Sequence, residues 1–123
     1  MKDIMDTLIY KGKEYKLIFN LNVLQEMQDK YGTMAKCLDE AYGKNTGEPS
    51  LKALSFMVAA MINEAIDINN DEKGEKEPPV TEKMVNRMLS EFLQNSGDLT
   101  AVVGKIDDLM AKSLQGGKDS KNE

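Results

Sequence analysis

Residues 51–66, LKALSFMVAAMINEAI, leave a helix almost no polar face. Leu51, Leu54, Val58, Met61, Ile62, Ala65 and Ile66 recur at helical spacing, and Phe56, Met57, Ala59 and Ala60 widen that stripe around the circumference. A helix apolar on most sides is stable only when other elements surround it. The unbroken apolar run, Phe56 to Ile62, falls far short of the ~20 residues that span a bilayer. The segment therefore reads as the buried spine of a soluble fold, and the rest of the chain has to cover it.

The covering is legible in outline. Thr7–Tyr10 and Tyr15–Phe19 are rich in β-branched and aromatic residues and flank KGKE, Lys11 to Glu14, with Gly12 free to take a positive φ. A lone two-stranded hairpin is barely stable in water, so it is expected to lie on the helices. From Asn20 onward the period changes to three or four. Asn20 or Asn22 can cap a first helix, whose stripe is Leu21, Leu24, Met27 and Tyr31. Thr33 caps a second helix with Met34, Cys37, Leu38, Ala41 and Tyr42 on one face, and Ser50 caps the spine. Asn69 to Pro79 holds no apolar residue and reads as a solvated linker. Val80, Thr81 and Val85 have the spacing of a hydrophobic staple around an N-cap. A helix with Val85, Met88, Leu89, Phe92 and Leu93 follows, NSGD interrupts it, and Asp98 caps a last one. The expected architecture is α+β and predominantly α: an N-terminal hairpin (about 7–19) packed on about five helices (21–31, 34–42, 51–68, 82–94 and 99–114). It forms one globular domain over 1–115 with a disordered tail, 116–123.

Chemistry is scarce. The 123 residues include no histidine and a single cysteine. That removes the commonest general base, any intrachain disulfide and any thiolate metal cluster. Cys37 sits on an apolar helix face, where a thiol is buried and inert. Asp67, Asn69 and Asp71 occupy the first, third and fifth places of a calcium loop, but Glu72 replaces its glycine and Pro78 its final glutamate. Glu64 with Asp67, and Asp107 with Asp108, read as solvated carboxylates. The net charge of −5 and the single Arg87 argue against a nucleic-acid face. No cofactor, metal or catalytic residue is expected, and the chain reads as a binding or assembly module of the cytoplasm. Nine methionines serve core packing or an adaptable binding face. Met57, Met61, Met84 and Met88 are the candidates for such a face.

The order of elements resembles a known family. LIYKGKEYKLIFNLNVLQEMQDKYG, Leu8 to Gly32, is similar to the opening of phage tail assembly chaperones. There a strand, a glycine turn and a Tyr-x-Leu strand precede a helix that ends on aromatic-Gly. Tyr15, Leu17, Phe19, Leu21, Leu24, Tyr31 and Gly32 carry the likeness. It continues through the apolar spine, a helix led by Thr81-Glu82 and the final AVVGKIDDLMAKSL. The resemblance implies a non-enzymatic protein of the bacterial host cytoplasm, absent from the mature virion. It would bind the tape-measure protein and recruit tail-tube subunits; the apolar inventory by itself suits a monomer with one sticky face or a homodimer. The resemblance also implies a longer frameshifted product, for which the codons of Gly117–Lys118 are the candidate slip site. Two other functions suit the same composition: a connector protein retained in the particle, or an adaptor that binds a host protein.

Overall fold

The hairpin reverses on two residues. Lys11 and Gly12 have φ of 51° and 78°, the paired left-handed conformations of a turn whose twist matches the strands it joins. The computed structural model describes residues 5–96 and 100–121, with side chains over 7–95 and 101–114. Strands β1 (Met5–Tyr10) and β2 (Lys13–Ile18) pair antiparallel, with Tyr10 opposite Lys13, Leu8 opposite Tyr15 and Met5 opposite Ile18. The turn is thus tighter than the four residues expected from sequence. Lys13 and Glu14 join the ladder because one pair of positive-φ residues already reverses the chain. Leu8, Tyr15, Leu17 and Phe19 face the helices and are buried, while Ile9 faces out.

Helix α1 (Leu21–Tyr31) is capped by Asn20, not Asn22: the Asn20 Oδ1 accepts from the Asn22 and Val23 amides at 3.1 and 3.2 Å. Its buried residues are Val23 and Met27, with Leu24 and Tyr31 beside them. Leu21, expected in the stripe, is 76% exposed. It lies about 200° around the helix from Val23, since each residue turns about 100°. Helix α2 (Met34–Tyr42), capped by Thr33, buries Cys37 and Ala41. It stops at Gly43, where φ is 73° and a side chain would run into the backbone of Glu48.

Helix α3 (Leu51–Lys73) is the spine, and it is longer than its apolar pattern. Residues 69–73, expected as linker, are helical. Nothing in NNDEK breaks a helix, so propagation continues to Gly74, which ends it at φ 67°. Helix α4 (Glu82–Ser96) begins as the staple predicts: the Thr81 Oγ1 accepts from the Met84 amide at 3.1 Å, and Val80 and Val85 are both buried. Helix α5 (Thr100–Lys121) also outruns its expected end. The tail expected to be disordered from Gly116 continues as helix to Lys121, because the glycine pair weakens a helix without breaking it as proline would. The proposed cap Asp98 lies outside the described residues. The fold is α+β and predominantly α, with β2, α1, α2 and α4 packed around α3 and with α4 and α5 against β1. One apolar cluster runs from Leu8 to Met110.

Glu64 is the charge that this enclosure admits. It is buried on α3, and its Oε2 accepts from the side-chain amides of Asn20 at 2.7 Å and Asn22 at 2.9 Å. Asn20 therefore caps α1 with its oxygen and docks α1 on α3 with its nitrogen. Replacing Glu64 by Ala leaves the half-buried Asn20 amide without its acceptor, a loss of about 1–3 kcal/mol. Glu64→Ala is expected to lower the urea midpoint accordingly, and Glu64→Gln, which keeps an acceptor oxygen, to lower it much less.

Candidate functional site

Burial places three of the four candidate methionines in the core. Met57, Met61 and Met88 are at most 2% exposed and belong to the core; Met84 is half-buried and packs on it. α3 is covered on so many sides that Met57 and Met61 have no route to the surface. Met88 points inward beside Val85 and Leu89 on the same face of α4. No groove for a partner forms from these four residues.

The segment read as a solvated linker is tied down. Asn63 and Asn70 stand seven residues apart on α3, and each grips the returning backbone with both ends of its amide. Asn63 accepts from the Val80 N–H at 2.7 Å and donates to the Val80 carbonyl at 3.1 Å. Asn70 accepts from the Glu77 N–H at 3.1 Å and donates to the Glu77 carbonyl at 3.0 Å. The spacing is a matter of geometry. Seven residues of helix rise about 10 Å, and three residues of extended chain span about 9–10 Å. Between the two clamped residues stand Pro78 and Pro79, which have no N–H to satisfy and hold the chain extended. Glu77–Val80 is therefore a strap laid along α3, fastened further by the Lys13–Glu77 ion pair of 2.8 Å. That hydrogen bond raises the Lys13 ammonium above its ordinary pKa. Two asparagines at a heptad interval on a helix, followed by Glu-Pro-Pro-Val, are the signal in the sequence that periodicity reasoning passed over.

The strap separates two hollows on α3. The larger, about 260 Å³, lies between β2 and the second half of α3; Ile18, Ile62, Ala65, Ile66 and Ile68 make its apolar lining. Lys13, Lys16, Glu72 and Glu77 stand at its rim. Consecutive residues of β2 border it, from both faces of the strand, so the strand edge forms its wall. The smaller, about 250 Å³, has Phe56, Ala59 and Ala60 beneath it and Glu26 and Glu82 at its sides. Lys30 lies over the Phe56 ring, 4.7 Å from its centre, and reaches Glu82 at 3.9 Å. Partial burial holds the Glu26 carboxyl above its ordinary range, and the carboxylates of Glu64, Asp67 and Asp29 add to the shift.

The lone thiol lines neither hollow. Cys37 is buried, and desolvation pushes its thiol up to about 11, so thiolate is scarce at neutral pH. Tyr42 is likewise raised, by burial and then by Asp107, to which its hydroxyl donates at 3.4 Å. Asp67, Asn69 and Asp71, the calcium-like triplet, lie on helix α3, and Asn69 donates to Glu75. Among the described residues no three His, Cys, Asp or Glu side chains gather closely enough to hold a metal ion, and no helix is long and apolar enough to cross a membrane. Compared with known proteins, the chain matches no family model, no curated protein and no solved structure.

Two outcomes follow from this geometry. Asn63→Ala deprives the buried Val80 segment of two hydrogen bonds and is expected to cost about 1–3 kcal/mol, with faster amide exchange at Val80 than in the parent. A folded-state carboxyl with a raised pKa favours the native state only where it is protonated, so Glu26 loses stability as pH rises through its titration. Glu26→Gln is expected to raise Tm at pH 7, and the gain should vanish in acid, below the ordinary carboxylate range.

Proposed function

We propose that this protein is a non-enzymatic phage tail assembly chaperone, which binds the tape-measure protein in the host cytoplasm, helps recruit tail-tube subunits and leaves before the virion is complete. The reading rests on the resemblance of its layout to that family, from the Tyr15-x-Leu17 strand through the apolar spine to the last helix. One structural observation carries it further: the spine is left open beside β2, where branched aliphatic residues lie beneath a charged rim. An assembly chaperone needs such a place. It must offer apolar contact to a long, aggregation-prone client, yet release it, so contact has to be modest in area and polar at its border. Ile18 and Ile68 supply contact without a deep cavity, and Lys16 and Glu72 keep the border wet. Apolar surface of this kind is indifferent to the exact side-chain sequence of the client, which suits a repetitive helical partner.

Co-expression with the tape-measure protein that the reading implies tests it. The large protein is expected to become soluble and to co-purify with this chain. Ile68→Lys, a charge placed in the half-buried lining, is expected to abolish most of that capture while leaving the circular dichroism spectrum unchanged. A tape-measure protein that stays insoluble, or recovery of this chain from purified virions, overturns the proposal; the second result would make it a retained connector.

A further inference from the structure

The two edges of the hairpin are treated differently. In a two-residue hairpin the residues flanking the turn, Tyr10 and Lys13, exchange both hydrogen bonds, and bonded and non-bonded pairs alternate from there. Lys13, Tyr15 and Leu17 therefore bond inward to β1. The N–H and C=O groups of Glu14, Lys16 and Ile18 point away from it. On β1 the same alternation turns Thr7 outward, and there α5 covers the edge: the Lys105 ammonium donates to the Thr7 carbonyl at 3.1 Å. Among the described residues no side chain does the same for the outer edge of β2. Among the described residues the outward backbone groups of Glu14, Lys16 and Ile18 meet no hydrogen-bond partner, and the larger hollow opens beside them. An unpaired strand edge next to an apolar floor is a template for another strand.

We infer that this edge pairs with the same edge of a second copy, forming a two-fold dimer with a continuous β1-β2-β2-β1 sheet. The charges on β2 select that occupant. Pairing is antiparallel, and only outward-pointing residues can exchange bonds across the new seam. With Tyr15 on the two-fold axis, Glu14 stands opposite Lys16 of the second copy and Lys16 opposite Glu14 of the second copy. Both are hydrogen-bonded pairs and both join opposite charges, the favourable arrangement for residues directly opposite each other. Glu14 and Lys16 are exposed and make no ion pair among the described residues, so each is available. The two neighbouring allowed registers, centred on Lys16 and on Glu14, set Lys16 against Lys16 or Glu14 against Glu14 and are disfavoured. The seam also lays a strand of each copy alongside the Ile66 and Ile68 lining of the other, closing the hollow. Four strands replace an isolated pair, the least stable sheet. The contact is short, so the dimer belongs to the weak class that a client displaces.

This inference deepens the functional reading by naming what covers the groove before a client does. Dimerisation is measured without any client, so the two fail separately. Sedimentation equilibrium over a concentration series is expected to show a reversible monomer–dimer equilibrium. Glu14→Lys alone, or Lys16→Glu alone, turns both ion pairs into like-charge pairs and should weaken the dimer about tenfold or more. The double reversal Glu14→Lys with Lys16→Glu restores opposite charges across the seam and should restore the parent affinity. In the unaltered protein, amide exchange at Glu14 and Lys16 should slow as concentration rises, a readout that needs no variant to fold. A protein monomeric at every concentration, a dimer indifferent to the single reversals, or Glu14 and Lys16 amides whose exchange ignores concentration would each overturn it.

Discussion

A helix with no face for water dictates what surrounds it. From Ala53 to Ile66 nearly every side chain of α3 is buried, including Ser55 and Glu64. Each other element is therefore read best by the part of α3 it shields: the Tyr15, Leu17, Phe19 face of β2, the Val23–Met27 face of α1, the Cys37–Ala41 face of α2, the Val85–Met88–Leu89 face of α4. Burial of this apolar area is the main favourable term in folding. A hairpin that would be marginal alone is held because Leu8, Tyr15 and Leu17 serve the same core.

Between Ala53 and Ile66 the polar residues of α3 are Ser55, Asn63 and Glu64, and the last two, with Asn70 beyond them, connect it to its neighbours. Glu64 holds the two asparagines at the start of α1, and Asn63 and Asn70 hold the strap. In each case a side-chain amide satisfies groups that a loop or helix end leaves open, where an unmet buried donor would be costly. Packing supplies the energy of the fold, and these bonds decide how α1 is turned and where the chain runs between α3 and α4. The groove exists as a by-product of that routing: the strap lies on one line of α3, the hairpin on another, and Ile66 and Ile68 are left between them.

The candidate surface is built from a different class of residue than composition suggests. Methionine abundance points to Met57, Met61, Met84 and Met88 as an adaptable face, yet the adaptability of these side chains is used to fill the core around α3. The groove is made of isoleucines that periodicity alone assigns to core or to nothing in particular, and of backbone groups whose availability no side chain announces. Ile68 sits beyond the apolar stretch of α3, in a turn that reads as the approach to a linker.

Local chemistry was enough, from the amino-acid order alone, to place every helix and both strands, the caps at Thr33, Ser50 and Thr81, and the burial of α3. Hydrogen bonding within a helix and the alternation of a strand are short-range, and a wholly apolar helix admits one environment. The phase of α1, the clamping of Glu77–Val80 and the asymmetry of the hairpin edges were decided only in three dimensions. Each depends on groups far apart in sequence, Asn20 with Glu64, Asn63 with Val80, Lys105 with Thr7, whose meeting no local pattern encodes.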